Sequence, residues 1–106
     1  MRGLTRRAER LGSRLPELDD DGVLRFNGSQ TAIPPVEARL VDLLIRRFRA
    51  VVGRDELTAA GWPGTEANRN ALDVHVLRLR RRLDEVGLVI RTVRSRGYLL
   101  EPARAA

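Results

Sequence analysis

Residues 69 to 83 read RNALDVHVLRLRRRL. At a helical step of about 100° per residue, Leu72, Val76, Leu79 and Leu83 share one narrow stripe. Asn70, Val74, Leu77, Arg78 and Arg81 fall on the opposite side, so the segment predicts a helix with one packing face and one cationic face. That asymmetry suits a helix that enters the major groove of DNA, and the rest of the chain tests the idea.

Downstream, Gly87 supplies a helix stop without a Cβ. Leu88 to Val93 is a β-branched strand and Tyr98 to Leu100 a second. Arg94-Ser95-Arg96-Gly97 forms a tight, basic turn between them. Residues 101–106, EPARAA, carry no core-forming pattern and read as a flexible tail.

Upstream, Gly61 to Asn68 contains Trp62-Pro63-Gly64 and reads as a loop. Arg54 to Ala60 is a short helix that stops at Gly61, and Val51-Val52-Gly53 an extended link. Val36 to Arg49 is a helix entered through Pro34-Pro35. Leu40, Val41, Leu43, Leu44 and Phe48 give it a core stripe, with Glu37, Arg39, Asp42, Arg46 and Arg47 on a solvated face. Before it, Val23 to Phe26 and Gln30 to Ile33 flank Asn27-Gly28, a dipeptide suited to a hairpin's positive φ angles. Asp19-Asp20-Asp21-Gly22 is a turn rather than a cation site. Residues 1–17 form a basic N-terminal arm or linker remnant, and 18–100 a single domain.

The order is sheet, helix, helix, loop, long helix, hairpin. The fold class is α+β: a winged helix-turn-helix with an N-terminal antiparallel sheet, three helices and a C-terminal β-hairpin wing.

Charge placement supports a nucleic-acid partner. The 106 residues carry a net charge of +6, and all 20 basic residues are arginine, the side chain whose planar fork fits phosphates and guanine edges. GC-rich codon usage accounts for arginine over lysine, but not for its distribution. Residues 1–15 hold five Arg against one Glu, residues 16–68 six Arg against nine acids, and residues 69–106 nine Arg against four acids. The ends are basic and the middle is acidic, which leaves the middle for scaffolding or protein contacts.

Other classes find little support. With one histidine, no cysteine and no convergent carboxylates, nothing assembles into an acid-base pair, a disulfide or a thiolate metal site. The expectation is a non-enzyme without cofactors. Lacking an apolar run of membrane-spanning length or a signal peptide, the chain reads as cytoplasmic. The competing reading is a winged helix that binds protein rather than DNA. Retained cations at Arg78, Arg80, Arg81, Arg94 and Arg96 argue against it.

These motifs together resemble the C-terminal DNA-binding domains of OmpR/PhoB-type response regulators of bacterial two-component systems, from about Leu18 to Leu100. The resemblance rests on Leu72-Asp73-Val74-His75-Val76 with Arg78-Leu79-Arg80-Arg81, on Ile90-Arg91-Thr92-Val93-Arg94 with Gly97-Tyr98, and on Val52-Gly53-Arg54, Glu56-Leu57 and Trp62. It implies a four-stranded N-terminal sheet and binding to double-stranded promoter DNA. It further implies a second copy in tandem on direct repeats, and RNA polymerase contact through loop 61–68.

By the same resemblance Asn70, Val74 and Arg78 contact bases, and Arg94 enters the minor groove from the wing. Arginine suits guanine O6 and N7, and an outward valine suits a thymine methyl. Trp62, His75, Arg80, Thr92 and Tyr98 match positions that grip the sugar-phosphate backbone, which sets register without specifying sequence. Arg96 adds a second charge at the wing tip, and Arg81, beside Arg82 on the basic end of the helix, is a further backbone candidate whose alternative is a solvated face. For Trp62 and Tyr98 a core role stays equally open. Three departures stand out: Asn70-Ala71 where relatives often carry Arg-Thr, Leu77 where a basic residue is frequent, and Ser95 in place of a commoner glycine. Relatives usually carry a receiver domain before this one, and an excised effector domain, the tail of another fusion and a stand-alone regulator all stay open.

Overall fold

Asn27 and Gly28 take φ angles of 53° and 84°. Two consecutive positive φ values make the tight turn whose twist matches the flanking strands. The strands are β2 (Val23–Phe26) and β3 (Ser29–Ala32), joined on the far side by β1 (Glu17–Leu18) in an antiparallel sheet of order β1-β2-β3. The computed structural model describes residues 15–65 and 69–103, and the expected arm before residue 15 lies outside them. Among the described residues this sheet has three strands rather than the four the resemblance implies.

The acidic cluster is a turn. Asp19 Oδ1 accepts the backbone N–H groups of Asp21 and Val23, each at 2.9 Å. The bond from Val23, followed by one from the Arg25 side chain, holds the Asp19 carboxyl below the usual carboxylate range.

Helix α1 spans Pro35–Arg46, with Pro at its first position where the missing N–H costs nothing. It ends three residues short of the expected Arg49. There the backbone turns to a positive φ of 72°, and the Arg49 N–H goes to the carbonyl of Leu100 at 2.9 Å instead of continuing the helix. Leu40, Val41 and Leu44 are buried as expected, but so is Glu37, which the sequence reading had placed on the solvated face. The correction has a simple basis: Glu37 stands three, four and seven residues before Leu40, Val41 and Leu44, on the core stripe itself.

Helix α2 (Arg54–Gly61) packs against α1 so closely that a Cβ on Gly61 would lie 3.0 Å from Leu40 Cδ2. Arg39 Nε donates to the Gly61 carbonyl at 3.0 Å, closing the end of α2. Helix α3 (Arg69–Asp84) crosses both, and Leu72, Val76, Leu79 and Leu83 are each no more than 3% exposed. The N-terminal sheet is fastened to the far end of α3, where Thr31 Oγ1 donates to Glu85 Oε1 at 2.6 Å and Arg82 Nη1 to the Ala32 carbonyl at 3.2 Å.

Strands β4 (Leu88–Val93) and β5 (Gly97–Pro102) pair in antiparallel register to form the wing. The expected tail therefore starts later: Glu101 and Pro102 belong to β5, and Glu101 Oε2 accepts two bonds from Arg91 at 3.0 and 2.6 Å. Residues 104–106 lie outside the described residues. The link between α1 and α2 joins the wing as well. Val52 and Tyr98 exchange two backbone bonds, of 2.7 Å and 3.0 Å. Among the described residues no helix is long and apolar enough to cross a membrane.

Candidate nucleic-acid interface

With its apolar stripe in the core, α3 turns Asn70, Val74, Leu77, Arg78 and Arg81 outward, all exposed. Val74 and Leu77 are 44% and 53% exposed, which places apolar surface in the middle of a cationic face. Between the two wing strands, Arg94, Ser95 and Arg96 form the exposed wing tip. Ser95 takes a φ of 64°, the left-handed conformation for which glycine is the easier residue.

Between α3 and the wing tip lies a polar network. Arg80 Nε and Nη2 donate to the Ile90 carbonyl at 3.2 and 3.0 Å, and Nη2 reaches Thr92 Oγ1 at 2.9 Å. The Arg80 guanidinium lies over the Tyr98 ring, 5.9 Å from its centroid. Tyr98 is buried, and its hydroxyl donates to Asp73 Oδ1 at 3.0 Å while accepting from Arg54 Nη1 at 2.9 Å. Arg54 also pairs with Asp73 Oδ1 at 3.0 Å. Burial pushes the Tyr98 hydroxyl above its ordinary value, and donation to Asp73 adds to the shift. The hydrogen bond from Arg54 to Asp73 is the main cause that raises the guanidinium further still. Tyr98 thus settles the question left open by the sequence on the side of the core for its ring, with its hydroxyl tying the wing to α2 and α3.

On the opposite flank of α3, His75 Nδ1 contacts Glu37 Oε2, and the Trp62 ring meets His75 edge-on with centroids 5.5 Å apart and planes at 64°. Trp62 is half-buried against the core. An open cleft runs along this flank between the start of α1, at Pro34 to Glu37, and the His75, Arg78, Arg81, Arg82 and Glu85 side of α3.

Of the sequence-derived candidates, Asn70, Val74, Arg78 and Arg81 share the exposed face of α3, His75 and Trp62 meet on its flank, and Arg94 and Arg96 are exposed at the wing tip. Arg80, Thr92 and Tyr98 stand at the root of the wing, engaged with one another and with α3. Three participants escaped the sequence reading. Glu37 was signalled by its position on the core stripe; Asp73 and Arg54 had no local signal, because their pairing depends on how α2 meets α3.

A helix-turn-helix whose outward helix is flanked by a β-hairpin is a winged helix-turn-helix DNA-binding fold. The family model described as "Transcriptional regulatory protein, C terminal" matches residues 28–100. The chain belongs to this family, as an OmpR/PhoB-type effector domain. It is 37% identical to the response regulator protein PmrA of Pseudomonas aeruginosa over 109 aligned positions, covering 92% of this chain and 47% of that protein. It is 33% identical to the uncharacterized transcriptional regulatory protein YvcP of Bacillus subtilis over 88, covering 80% and 37%. The chain thus spans less than half the length of either relative.

Among solved structures, the C-terminal domain of the nisin resistance regulator NsrR superposes with a TM-score of 0.71 at 27% identity, covering 84% of this chain and 94% of that one. The DNA-binding domain of the response regulator AdeR, in complex with an intercistronic region, gives 0.70 at 26% identity, covering 82% and 94%.

Proposed function

We propose that this chain regulates transcription by binding specific sequences in double-stranded promoter DNA, with α3 in the major groove and the wing tip 94–97 in the minor groove. One observation carries the reading. The exposed side chains Asn70, Arg78, Arg81, Arg94 and Arg96 make no hydrogen bond or ion pair among the described residues, and four of the five are arginines, on a helix fixed by its opposite face and on the tip of the wing.

Asn70, Val74 and Arg78 are the base-reading positions, and Arg94 the minor-groove position, where a narrow groove attracts guanidinium. Trp62, His75, Arg81 and Arg96 border them as backbone grips. Arg80 and Thr92 serve the backbone at the wing root, where Tyr98 holds the wing to α3. Loop 61–68, whose described part exposes Pro63, Gly64 and Thr65, is the surface for RNA polymerase, and direct repeats would seat a second copy in tandem.

The test is a binding isotherm on duplexes selected from a random pool. Arg78→Ala costs about 1–3 kcal/mol on a selected site and relaxes base preference there, the size of one bidentate contact. Affinity falls steeply with salt, as arginines displace counterions. Absence of binding to selected and random duplexes alike at low salt overturns the proposal and leaves the protein-binding alternative.

A further inference from the structure

Among the described residues Glu37 is the only buried charged side chain, 3% exposed on the core stripe of α1. A carboxylate is left in an interior only when it is paired. Its partner is His75 Nδ1, on an imidazole that is 23% exposed and braced edge-on by Trp62. A carboxylate only accepts hydrogen bonds, so the bond places the proton on Nδ1 and leaves Nε2 as the ring's remaining polar atom for an outside partner. The cleft that His75 lines is also lined by Glu37 of α1, by Arg78, Arg81 and Arg82 of α3, and by Glu85 just past its end.

We propose that Glu37 is a positioning residue for DNA binding: it orients and charge-balances His75 so that Nε2–H donates to a backbone phosphate. This rests on the DNA-binding reading above. A phosphate oxygen also only accepts, so the ring meets it doubly protonated, with one anion behind it and one in front. The sign of the effect separates this role from simple electrostatics. Removing a negative charge beside DNA strengthens binding through Coulomb's law alone, whereas a lost positioning residue weakens it.

The experiment measures affinity for one selected duplex across a salt series, using the whole chain and its Glu37→Gln, His75→Gln and doubly substituted forms, each checked for folding by thermal melting. Glu37→Gln and His75→Gln are each expected to weaken binding roughly tenfold, the scale of one charge-assisted hydrogen bond, and to lower the salt slope by about 1. The double substitution is expected to cost no more than His75→Gln alone. Because the chain has one histidine, imidazole 15N spectra need no assignment. DNA should bring the wild-type ring to the doubly protonated signature, and this change should shrink in Glu37→Gln.

Equal or tighter binding by folded Glu37→Gln overturns the proposal. So do wild-type imidazole signals that ignore DNA, a readout that stands even where a variant does not fold. If Arg78→Ala weakens binding while both His75 and Glu37 substitutions leave it unchanged, the positioning role fails and the DNA reading survives; if the wild type binds no duplex, both fail.

Discussion

Gly97 begins β5 at the point where the wing crosses the link between α1 and α2, and Gly97→Ala tests how much depends on that crossing. The residue sits at a φ of 144°, and a Cβ there would lie 2.0 Å from the Val52 carbonyl oxygen, 2.8 Å from Val52 C and 2.9 Å from Gly53 Cα. Ordinary contact begins at 3.4 Å, and all three neighbours are backbone, so no side chain can rotate away. The wing must lift off the link, which breaks the paired bonds of 2.7 and 3.0 Å between Val52 and Tyr98. Two lost bonds at about 1 kcal/mol each, plus the 1–3 kcal/mol of leaving a buried polar group unpaired, give a cost of about 3–5 kcal/mol. Against a typical stability of 5–15 kcal/mol, that leaves a marginal domain.

Urea unfolding followed by the fluorescence of Trp62, the chain's single tryptophan, measures the effect directly. The midpoint should fall by more than about 1 M, given slopes of about 1–3 kcal/mol/M. Gly28→Ala is the control: it also has a positive φ, 84°, but its Cβ meets nothing within 4 Å. It should cost only the left-handed backbone penalty of about 1–2 kcal/mol. A Gly97→Ala protein within 1 kcal/mol of the wild type, or no worse than Gly28→Ala, would refute the steric reasoning.

Three further outcomes follow from the wing root, the reading helix and the sheet attachment. Tyr98 is the chain's single tyrosine, so its ionisation is readable by ultraviolet absorbance, and the midpoint should lie above the ordinary value. Since its folded pKa is raised, the stability it contributes is fully present below about pH 10 and is lost as pH rises through the folded value. Tyr98→Phe should remove that component and cost about 1–2 kcal/mol at neutral pH, and a stability curve equally steep in the variant counts against the assignment. Leu77→Arg should leave the melting temperature unchanged while steepening the salt dependence of DNA binding by about one unit, and an unchanged slope places residue 77 away from phosphate. Thr31→Val removes the 2.6 Å bond to Glu85 and should lower stability by about 1–2 kcal/mol in urea; an unchanged midpoint shows that this bond contributes nothing to holding the sheet.

The sequence disclosed what local chemistry controls. The stripe of Leu72, Val76, Leu79 and Leu83 needed only periodicity, and the Asn27-Gly28 turn only a dipeptide, so both were legible. Glu37 was misread because residue type outweighed residue position; a carboxylate on a core stripe looks solvated until its partner from another helix is known. The end of α1 was misplaced because the Arg49 N–H bonds to the Leu100 carbonyl across nearly half the chain, and no short window of sequence contains both. The start of the tail was misplaced because Glu101 and Pro102 pair with Val89 and Leu88, a register that composition alone does not signal. Of the candidate interface, the exposed face of α3 and the wing tip could be read directly, whereas the Arg54, Asp73 and Tyr98 network arises only once three elements meet.

The division of labour on α3 bears on how such a protein changes its target. Asp73, His75 and Arg80 are bound into the wing, α2 and α1, so a substitution there disturbs folding and recognition together. Asn70, Val74, Leu77, Arg78 and Arg81 lie outside those ties. On the proposed DNA-binding reading, substitutions at these five positions would alter the preferred operator at little cost in stability while the scaffold stays constant. A change of target then needs no compensating change in the core.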